Sequence, residues 1–246
     1  ESNYLYIDEV RTGASMFYFA KGDNVKSAAE KFSHQVSQAF EKKRKKSKNL
    51  AIDKIMLDGF KSLESRDFKI ENGEKIMEHA RSIKSAEEIK AMRCSISACE
   101  TSIHVMEKET KPGMTENDIW SILHSENIKR GGEWIETRLL SSGTKTNPWF
   151  QECGSRILQK NEIVAFDTDL VGCYSMCTDI SRTWWIGDQE PTKEMKQDYQ
   201  IALEHIQKNA ELVAPGVPFK DLTFKGHQLD DMYKKQQYSC RFHGVG

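Results

Sequence analysis

The sequence predicts an α+β fold in which one helical unit occurs twice, with a β-hairpin between the two copies. The first copy is an amphipathic run over 84–109, and a Pro-Gly pair ends it before a second helix begins. A related pattern, which begins near Met195, ends at Pro215 and Gly216. A domain duplicated in this way would place an active site between its two halves.

The composition excludes several classes of partner. The 246 residues suffice for one or two domains, and 30 % of them are charged. Because the charges nearly cancel, to a formal net charge of -1, no overall field draws the chain to nucleic acid or to an anionic membrane. No apolar run approaches the roughly 18 residues of a membrane span, and no secretory leader is visible. We therefore expect a cytoplasmic protein without nucleic-acid or membrane partners.

The six cysteines are scattered along the chain, which is typical of reduced thiols in the cytoplasm rather than of a disulfide framework. Cys173 and Cys177 have a C-x3-C spacing, but no second Cys or His pair lies nearby to complete a zinc site. We expect free, mostly buried thiols.

Residues 1–80 are predicted to form an α/β segment. Short strands are expected over 3–10 and 49–57, and a helix over 25–42. The charged run over 41–48 has no aromatic residues within it, so we interpret it as a solvated turn and not as a nucleic-acid patch.

The helix over 84–109 has a clear start and one apolar face. Ser85 and Glu88 have the spacing of a capping box, and Thr115 with Asp118 is expected to cap the helix that follows. Apolar side chains recur at three- and four-residue intervals, at Ile89, Met92, Ile96, Cys99, Ile103 and Met106.

Three aspartates interrupt what otherwise resembles a buried hairpin with strands over 162–170 and 178–187. Side chains alternate between the faces of a strand, so Asp167 and Asp169 are expected to point the same way. Asp179, early on the returning strand, would come level with them. Three carboxylates this close would repel each other strongly unless a cation lay among them, and oxygen ligands favour a hard or borderline divalent metal.

The alternative is a structural role, in which one or two of these aspartates cap turns while Arg182 neutralises the third. A further candidate ligand is His243, which Gly-Val-Gly follows at the end of the chain. A lone histidine is usually structural, but this one occurs together with the three acids.

Four segments occur in an order that resembles a known superfamily: "RSIKSAEEIKAMR", "KPGMTENDI", "DISRT" and "HGVG". They resemble the pita-bread metallopeptidases, an M24-like group that holds methionine and Xaa-Pro aminopeptidases, prolidase and creatinase. The resemblance implies a pita-bread fold with a pseudo-two-fold repeat over 81–246, preceded over 1–80 by the end of a creatinase-type N-terminal domain. It also implies that the C-terminal part of the catalytic domain is missing, because the family's two glutamate ligands lie beyond Gly246.

The chain departs from the peptidases of this superfamily in three places. They have a ligand aspartate eleven residues before the one in the "DIxRT" segment, whereas the acids here lie ten and twelve residues before Asp179. They have a histidine ahead of the hairpin, whereas no histidine lies between His124 and His205. The hairpin turn is also longer, with the sequence "GCYSMC".

These departures, with the "NPWFQECG" segment and a tyrosine five residues before His243, resemble the dimethylsulfoniopropionate (DMSP) lyases of the DddP type. The resemblance implies a homodimer in the bacterial cytoplasm that acts on a small molecule. It implies that the cofactor is a divalent metal, with iron favoured over manganese, zinc or cobalt. The implied metal ligands are Asp167, Asp169, Asp179 and His243, and Tyr238 is implied as a catalytic residue in the substrate pocket.

Cleavage of DMSP to acrylate and dimethyl sulfide is a β-elimination, which needs a base and a metal that withdraws charge from the carboxylate. The resemblance places that base beyond Gly246. The cationic sulfonium end favours an aromatic wall. The local aromatic residues are Trp149, Tyr174, Trp184, Trp185 and Tyr238. We predict that Trp149 and Tyr238 bind substrate, and that at most one of Trp184 and Trp185 lines the site.

Two other functions stay open. One is an Xaa-Pro aminopeptidase or prolidase, in which a histidine from elsewhere would handle the substrate. The other is a binding module that has lost its metal. The binding module is disfavoured by the three aspartates, Asp167, Asp169 and Asp179. A site that has lost its metal has no reason to retain three costly carboxylates together.

Overall fold

The structure is a computed structural model that describes residues 7, 9–43 and 46–246. The chain divides into two compact units, Glu1–Ile83 and Lys84–Gly246. The assignment of the first unit to a creatinase-type domain stays a prediction. In the described residues, none of the helices has both the length and the apolar character needed to cross a membrane.

In its described residues, the first unit contains two parallel strands and four α-helices. The helices are α1 (Tyr18–Lys21), α2 (Val25–Lys42), α3 (Leu57–Glu64) and α4 (Glu74–Ser82), and the strands are β1 (Asn49–Ile52) and β2 (Lys69–Asn72). Helix α2 has its predicted bounds. The strand predicted over 49–57 ends at Ile52, since α3 begins at Leu57. The strand predicted over 3–10 lies mostly outside the described residues, as do residues 44 and 45 of the charged run over 41–48.

The second unit packs helices against two small antiparallel sheets. Its helices are α5 (Ala86–Glu109), α6 (Glu116–Lys129), α7 (Lys193–Ala210), α8 (Phe219–Lys225) and α9 (Asp231–Lys234). Its strands are β3 (Trp134–Ile135), β4 (Leu140–Ser142), β5 (Glu162–Phe166), β6 (Asp169–Val171), β7 (Cys177–Asp179) and β8 (Arg182–Ile186). One sheet has the order β3-β6-β7 and the other the order β4-β5-β8.

The predicted helix starts and the repeated helical unit are present. The capping box of Ser85 with Glu88 begins α5, and that of Thr115 with Asp118 begins α6. The Pro-Gly turns after α5 and after the end of α7 each place glycine in the left-handed region, where φ is 94° at Gly113 and 86° at Gly216. Glycine adopts this region without a steric penalty, which explains why the same residue pair recurs in both copies.

The predicted apolar stripe of α5 is only partly buried. Cys99, Ile103 and Met106 lie in the core, whereas Ile89 and Ile96 are exposed. The first buried position along the helix is taken by a small polar side chain, Ser95. Ser95 is fully buried and donates from its Oγ to the Met176 carbonyl at 2.7 Å, where the hairpin turn meets the helix.

The predicted hairpin is shared between the two sheets. The strands predicted over 162–170 and 178–187 are each interrupted, at 167–168 and at 180–181, so β5 pairs with β8 and β6 pairs with β7. The two halves separate because their outer partners are separate strands, β4 beside β5 and β3 beside β6. Side-chain alternation still continues through the break: Phe166, Thr168 and Leu170 are all fully buried.

The six cysteines are free thiols, as expected, but most of them are not buried. Only Cys99 and Cys153 lie in the interior, where burial raises the pKa of each thiol. Cys173 and Cys177 are half-buried in and after the hairpin turn. The prediction of mostly buried thiols was therefore wrong, because the cysteines of α5 and of the hairpin are spread over both faces of their elements.

Candidate active site

The divided hairpin brings the three aspartates to one place. Asp169 on β6 and Asp179 on β7 are directly paired in the strand register. Asp167 lies in the link between β5 and β6, and the Ser181 hydroxyl donates to its Oδ1 at 2.7 Å. The Thr137 hydroxyl donates to Asp169 Oδ2 at 2.8 Å. These hydroxyl groups fix the orientation of two carboxylates, and the sheet register fixes the third.

His243 reaches this cluster from the C-terminal segment. Its Nε2 lies 3.2 Å from Asp179 Oδ2, while its Nδ1 lies 3.1 Å from the Gly244 carbonyl. The histidine side chain is about half exposed, and that of Asp179 is 25 % exposed. The structure therefore brings His243 against one of the three aspartates from a point far along the chain.

The electrostatics of the cluster centre on Asp179. Burial raises the pKa of its carboxyl to about 6, helped by the neighbouring charge of Asp167 and a hydrogen bond with it, and His243 opposes the shift. Two carboxyls share a hydrogen bond only when one of them keeps a proton. A bound cation would favour the ionised pair instead, as expected of metal ligands.

The alternative in which Arg182 neutralises an aspartate loses its support here. Arg182 Nη2 lies 3.5 Å from Glu100 Oε1 on α5. Within the described part of the chain, no Lys or Arg forms an ion pair with Asp167, Asp169 or Asp179. The charge of His243 is the one that opposes the rise in the pKa of Asp179 among the described residues that act on it.

The four candidate ligands are three carboxylates and one imidazole. Ligands of these types suit a divalent cation such as iron, manganese, zinc or cobalt. In the described residues, however, no group of three or more His, Cys, Asp and Glu side chains is arranged to hold a metal ion. The four side chains instead meet in pairs around Asp179, through Asp167, Asp169 and His243. The ligand assignment therefore stays a prediction.

The predicted substrate-binding residues lie in a separate aromatic group. The rings of Trp149 and Phe150 are 6.1 Å apart between centroids, and those of Phe150 and Tyr238 are 5.3 Å apart. In the part of the chain that the structure describes, no hydrogen bond or ring contact joins Trp149 or Tyr238 to the acidic cluster. Sequence reasoning missed Phe150, because its role as the middle ring depends on contact with a residue distant along the chain.

The other three local aromatic residues point elsewhere. Trp184 packs against Phe166 in the core at 5.6 Å between ring centroids, and Trp185 donates from its ring nitrogen to the Gln189 carbonyl at 2.7 Å. Tyr174 is exposed in the hairpin turn, with φ at 61°. None of the three is part of the aromatic group around Phe150.

A histidine pair ties α7 to the segment that leads to Tyr238 and His243. His205 Nδ1 on α7 lies 3.2 Å from His227 Nδ1, which follows α8. Asn209 supports both, because its Nδ2 lies 3.3 Å from His205 Nε2 and its Oδ1 accepts from the His227 backbone N–H at 2.8 Å. Sequence patterns could not reveal this pair, since its members lie on different elements.

His205 should make this unit less stable in acid. Burial, followed by the charges of His227 and Arg241, lowers the pKa of His205 from 6.5. Below about pH 6.5 this histidine is protonated in the unfolded chain, whereas the folded chain keeps it neutral to a lower pH. The stabilisation present at pH 7.5 is therefore lost as pH falls. In urea denaturation at pH 7.5 and 5.5, His205→Gln should lose less stability on acidification than the wild type.

The matched control for this prediction is His104→Gln, since His104 is an exposed histidine on α5. The raised pKa of Asp179 gives the opposite pH dependence of stability, because it favours the folded chain as pH falls. Since the wild type and both variants share Asp179, comparing each variant with the wild type at both pH values cancels this contribution. Equal pH dependence in the wild type and in His205→Gln would show that His205 does not resist protonation in the folded chain.

Glu116 is a buried carboxylate that the sequence analysis did not single out. Its Oε1 accepts from the Ser142 backbone N–H at 3.0 Å and from the Ser142 hydroxyl at 2.7 Å. Its Oε2 accepts from Lys145 Nζ at 2.7 Å and from the Gly154 backbone N–H at 3.1 Å. One fully buried side chain thus closes both ends of the loop that presents Trp149.

Comparison with known sequences matches most of the second unit to a family. Residues 90–246 match the model of metallopeptidase family M24. The chain is 51 % identical over 245 residues to the dimethylsulfoniopropionate lyase DddP of Roseovarius nubinhibens, and equally to that of Roseobacter denitrificans. Each match covers 98 % of this chain and 55 % of the relative, so the chain spans about half the length of the curated relatives it matches.

Comparison with solved structures identifies the fold. The chain is similar to the X-Pro aminopeptidase from Thermotoga maritima MSB8, with a TM-score of 0.68 and 20 % sequence identity. The match covers 82 % of this chain and 59 % of that one. It confirms the predicted pita-bread fold, and at this level of identity it bears on the fold alone.

Proposed function

Because the chain belongs to metallopeptidase family M24, we propose that the whole protein is a metal-dependent member that cleaves DMSP to dimethyl sulfide and acrylate. The observation that carries this proposal is the 51 % identity over 98 % of the chain to two proteins named DMSP lyase DddP. The reaction is a lyase reaction on a small molecule. On the same grounds we propose that the protein is a homodimer in the bacterial cytoplasm.

Asp167, Asp169, Asp179 and His243 would hold the metal, and we propose iron. The contacts of Asp179 with Asp167 and His243 support this assignment, as does the raised pKa of the Asp179 carboxyl. A divalent metal at this place would withdraw charge from the substrate carboxylate and so acidify the adjacent C–H bond.

The opposite end of the substrate carries the leaving group. In the elimination, a proton leaves the carbon next to the carboxylate, the C–S bond breaks and its electron pair stays on sulfur. Trp149 and Tyr238 would bind the dimethylsulfonium group through their ring faces, and such contacts contribute roughly 0.5–2 kcal/mol per ring. Their partial exposure, at 36 % and 57 %, supports this role, because the rings are open to a ligand.

The family name favours a second function, that of an Xaa-Pro peptidase. The absence of any histidine between His124 and His205 speaks against it, since the peptidases have one ahead of the hairpin.

The test assays one iron- or manganese-loaded preparation of the whole protein with DMSP and with an Xaa-Pro dipeptide. We expect acrylate from the first and no free proline from the second. Proline release without acrylate would establish the peptidase function instead.

Tyr238→Phe should lower the turnover of DMSP while leaving the metal content of the protein near that of the wild type. The ring and its contact with Phe150 would remain, and only the exposed hydroxyl would be lost. Loss of a positioned acid–base group costs roughly 100-fold or more in rate. The measurements are kcat and bound metal per chain. A parallel loss of both would indicate that Tyr238 has a structural role.

A further inference from the structure

Phe150 is the middle member of a partly exposed cluster of three aromatic rings. It contacts Trp149 at 6.1 Å and Tyr238 at 5.3 Å between ring centroids. Trp149, Phe150 and Tyr238 are 36 %, 53 % and 57 % exposed. Two distant segments of the chain thus present neighbouring rings to solvent, and Phe150 is the ring that joins them.

The backbone holds Phe150 in an unusual conformation. Its φ is 62°, in the left-handed region that bulky residues seldom adopt. Such residues persist where their surroundings fix them, often at ligand sites. Here the loop is fixed on both sides of Phe150, because Gln151 Nε2 donates to the Pro148 carbonyl at 2.8 Å and Asn147 Nδ2 donates to Gln236 Oε1 at 3.3 Å.

The base of the same loop is anchored in the interior. Glu116 binds Ser142 before the loop and Gly154 after it. Lys145 joins Glu116 to the Glu152 carbonyl at 3.1 Å, inside the loop. The aromatic cluster is therefore carried on a closed loop with a fixed base, which suits a preorganised binding surface.

The faces of the three rings suit a cation. An aromatic face carries negative charge density and attracts a positive group within about 6 Å of the ring centre. In the described residues, the one lysine or arginine that lies over an aromatic ring is Lys48, over Phe68 of the other unit. No lysine or arginine of the described residues therefore covers the faces of Trp149, Phe150 and Tyr238.

We propose that Phe150 is a specificity-determining residue, which joins Trp149 and Tyr238 into one surface that binds the methylated cationic end of the substrate. The inference rests on the proposed function for the identity of that substrate. Its chemical class is an onium ion, either a dimethylsulfonium or a quaternary ammonium group. A neutral thioether of the same shape lacks the charge and gains nothing from the ring faces.

The test compares Phe150→Leu with the wild type in the whole, iron-loaded protein. We expect KM for DMSP to rise about 3- to 30-fold, with a smaller change in kcat. Inhibition by 3-(methylthio)propionate, which keeps the carboxylate but has an uncharged sulfur, should change less than KM does. Phe150→Tyr keeps an aromatic face and is the conservative comparison, with a smaller rise in KM than in Phe150→Leu. An unchanged KM in Phe150→Leu would overturn the inference. So would a weakening of inhibition by 3-(methylthio)propionate as large as the rise in KM.

A second readout does not depend on turnover. Tetramethylammonium chloride is titrated into the wild type and both variants, and tryptophan fluorescence reports binding near Trp149. We expect weaker binding in Phe150→Leu than in the wild type, and a smaller loss in Phe150→Tyr, which keeps the aromatic face. If the wild type releases no dimethyl sulfide yet binds tetramethylammonium in this Phe150-dependent way, the proposed function fails and the cation-binding surface stands. Equal binding by all three proteins contradicts the surface itself.

Discussion

Asp179→Ala is expected to remove bound iron and to reduce release of dimethyl sulfide by more than about 100-fold, while the second unit stays folded. Asp179 is the side chain that Asp167, Asp169 and His243 all approach. Without it, the remaining donors have no common partner. The measurements are metal per chain by mass spectrometry and headspace gas chromatography.

The fold should tolerate the change because Asp179 is itself a source of repulsion in the metal-free protein. Its pKa is raised to about 6, so burial and the neighbouring acids disfavour its charged form at neutral pH. Removing the carboxylate should leave the urea midpoint of the metal-free protein unchanged or raise it. Asp188→Ala is the matched control, since Asp188 is an exposed aspartate 3.6 Å from Lys160. Iron retained in Asp179→Ala would refute the ligand assignment.

Glu116→Ala should destabilise the second unit by roughly 3–5 kcal/mol, because each buried donor left without its acceptor costs roughly 1–3 kcal/mol. The substitution leaves the Ser142 hydroxyl and the backbone N–H groups of Ser142 and Gly154 without their acceptor. It also removes the partner of Lys145, whose side chain is 30 % exposed. Urea denaturation followed by circular dichroism measures the effect.

Two further variants separate charge from volume. Glu116→Gln keeps the shape of the side chain but turns one acceptor into a donor that faces other donors. We therefore expect it to lose stability, but less than Glu116→Ala does. Glu109→Ala removes an exposed glutamate at the end of α5 and should change stability by less than about 0.5 kcal/mol. If Glu116→Ala were as stable as Glu109→Ala, the loop would not depend on its buried anchor.

Short-range patterns predicted much of this fold. The capping boxes at Ser85 and Thr115 depend on side chains three residues apart, so the sequence alone suffices to find them. The same holds for the two Pro-Gly pairs, which were predicted to end the helical runs and whose glycines have a positive φ. The pairing of Asp169 with Asp179 also follows from local alternation and a short turn.

Features that depend on distant contacts could not be predicted in this way. The hairpin is divided between two sheets because β3 and β4 are separate strands, and nothing within 162–187 encodes that separation. Part of the apolar stripe of α5 is exposed because the hairpin turn approaches the helix at Ser95 instead.

The aromatic group and the buried anchor of its loop were missed for the same reason. Phe150 acquires its role from Tyr238, a residue far along the chain, and Glu116 acquires its role from both ends of a loop. A glutamate in the first turn of a helix is ordinarily a solvated residue that favours the helix dipole, so its complete burial had no sequence signal.

The most direct test of the central claim is headspace gas chromatography of the whole, iron-loaded protein mixed with DMSP, beside the Asp179→Ala and Asp188→Ala variants. The account predicts release of dimethyl sulfide by the wild type and by Asp188→Ala, and a loss of more than about 100-fold in Asp179→Ala. A folded, metal-loaded wild type that releases no dimethyl sulfide would contradict the account.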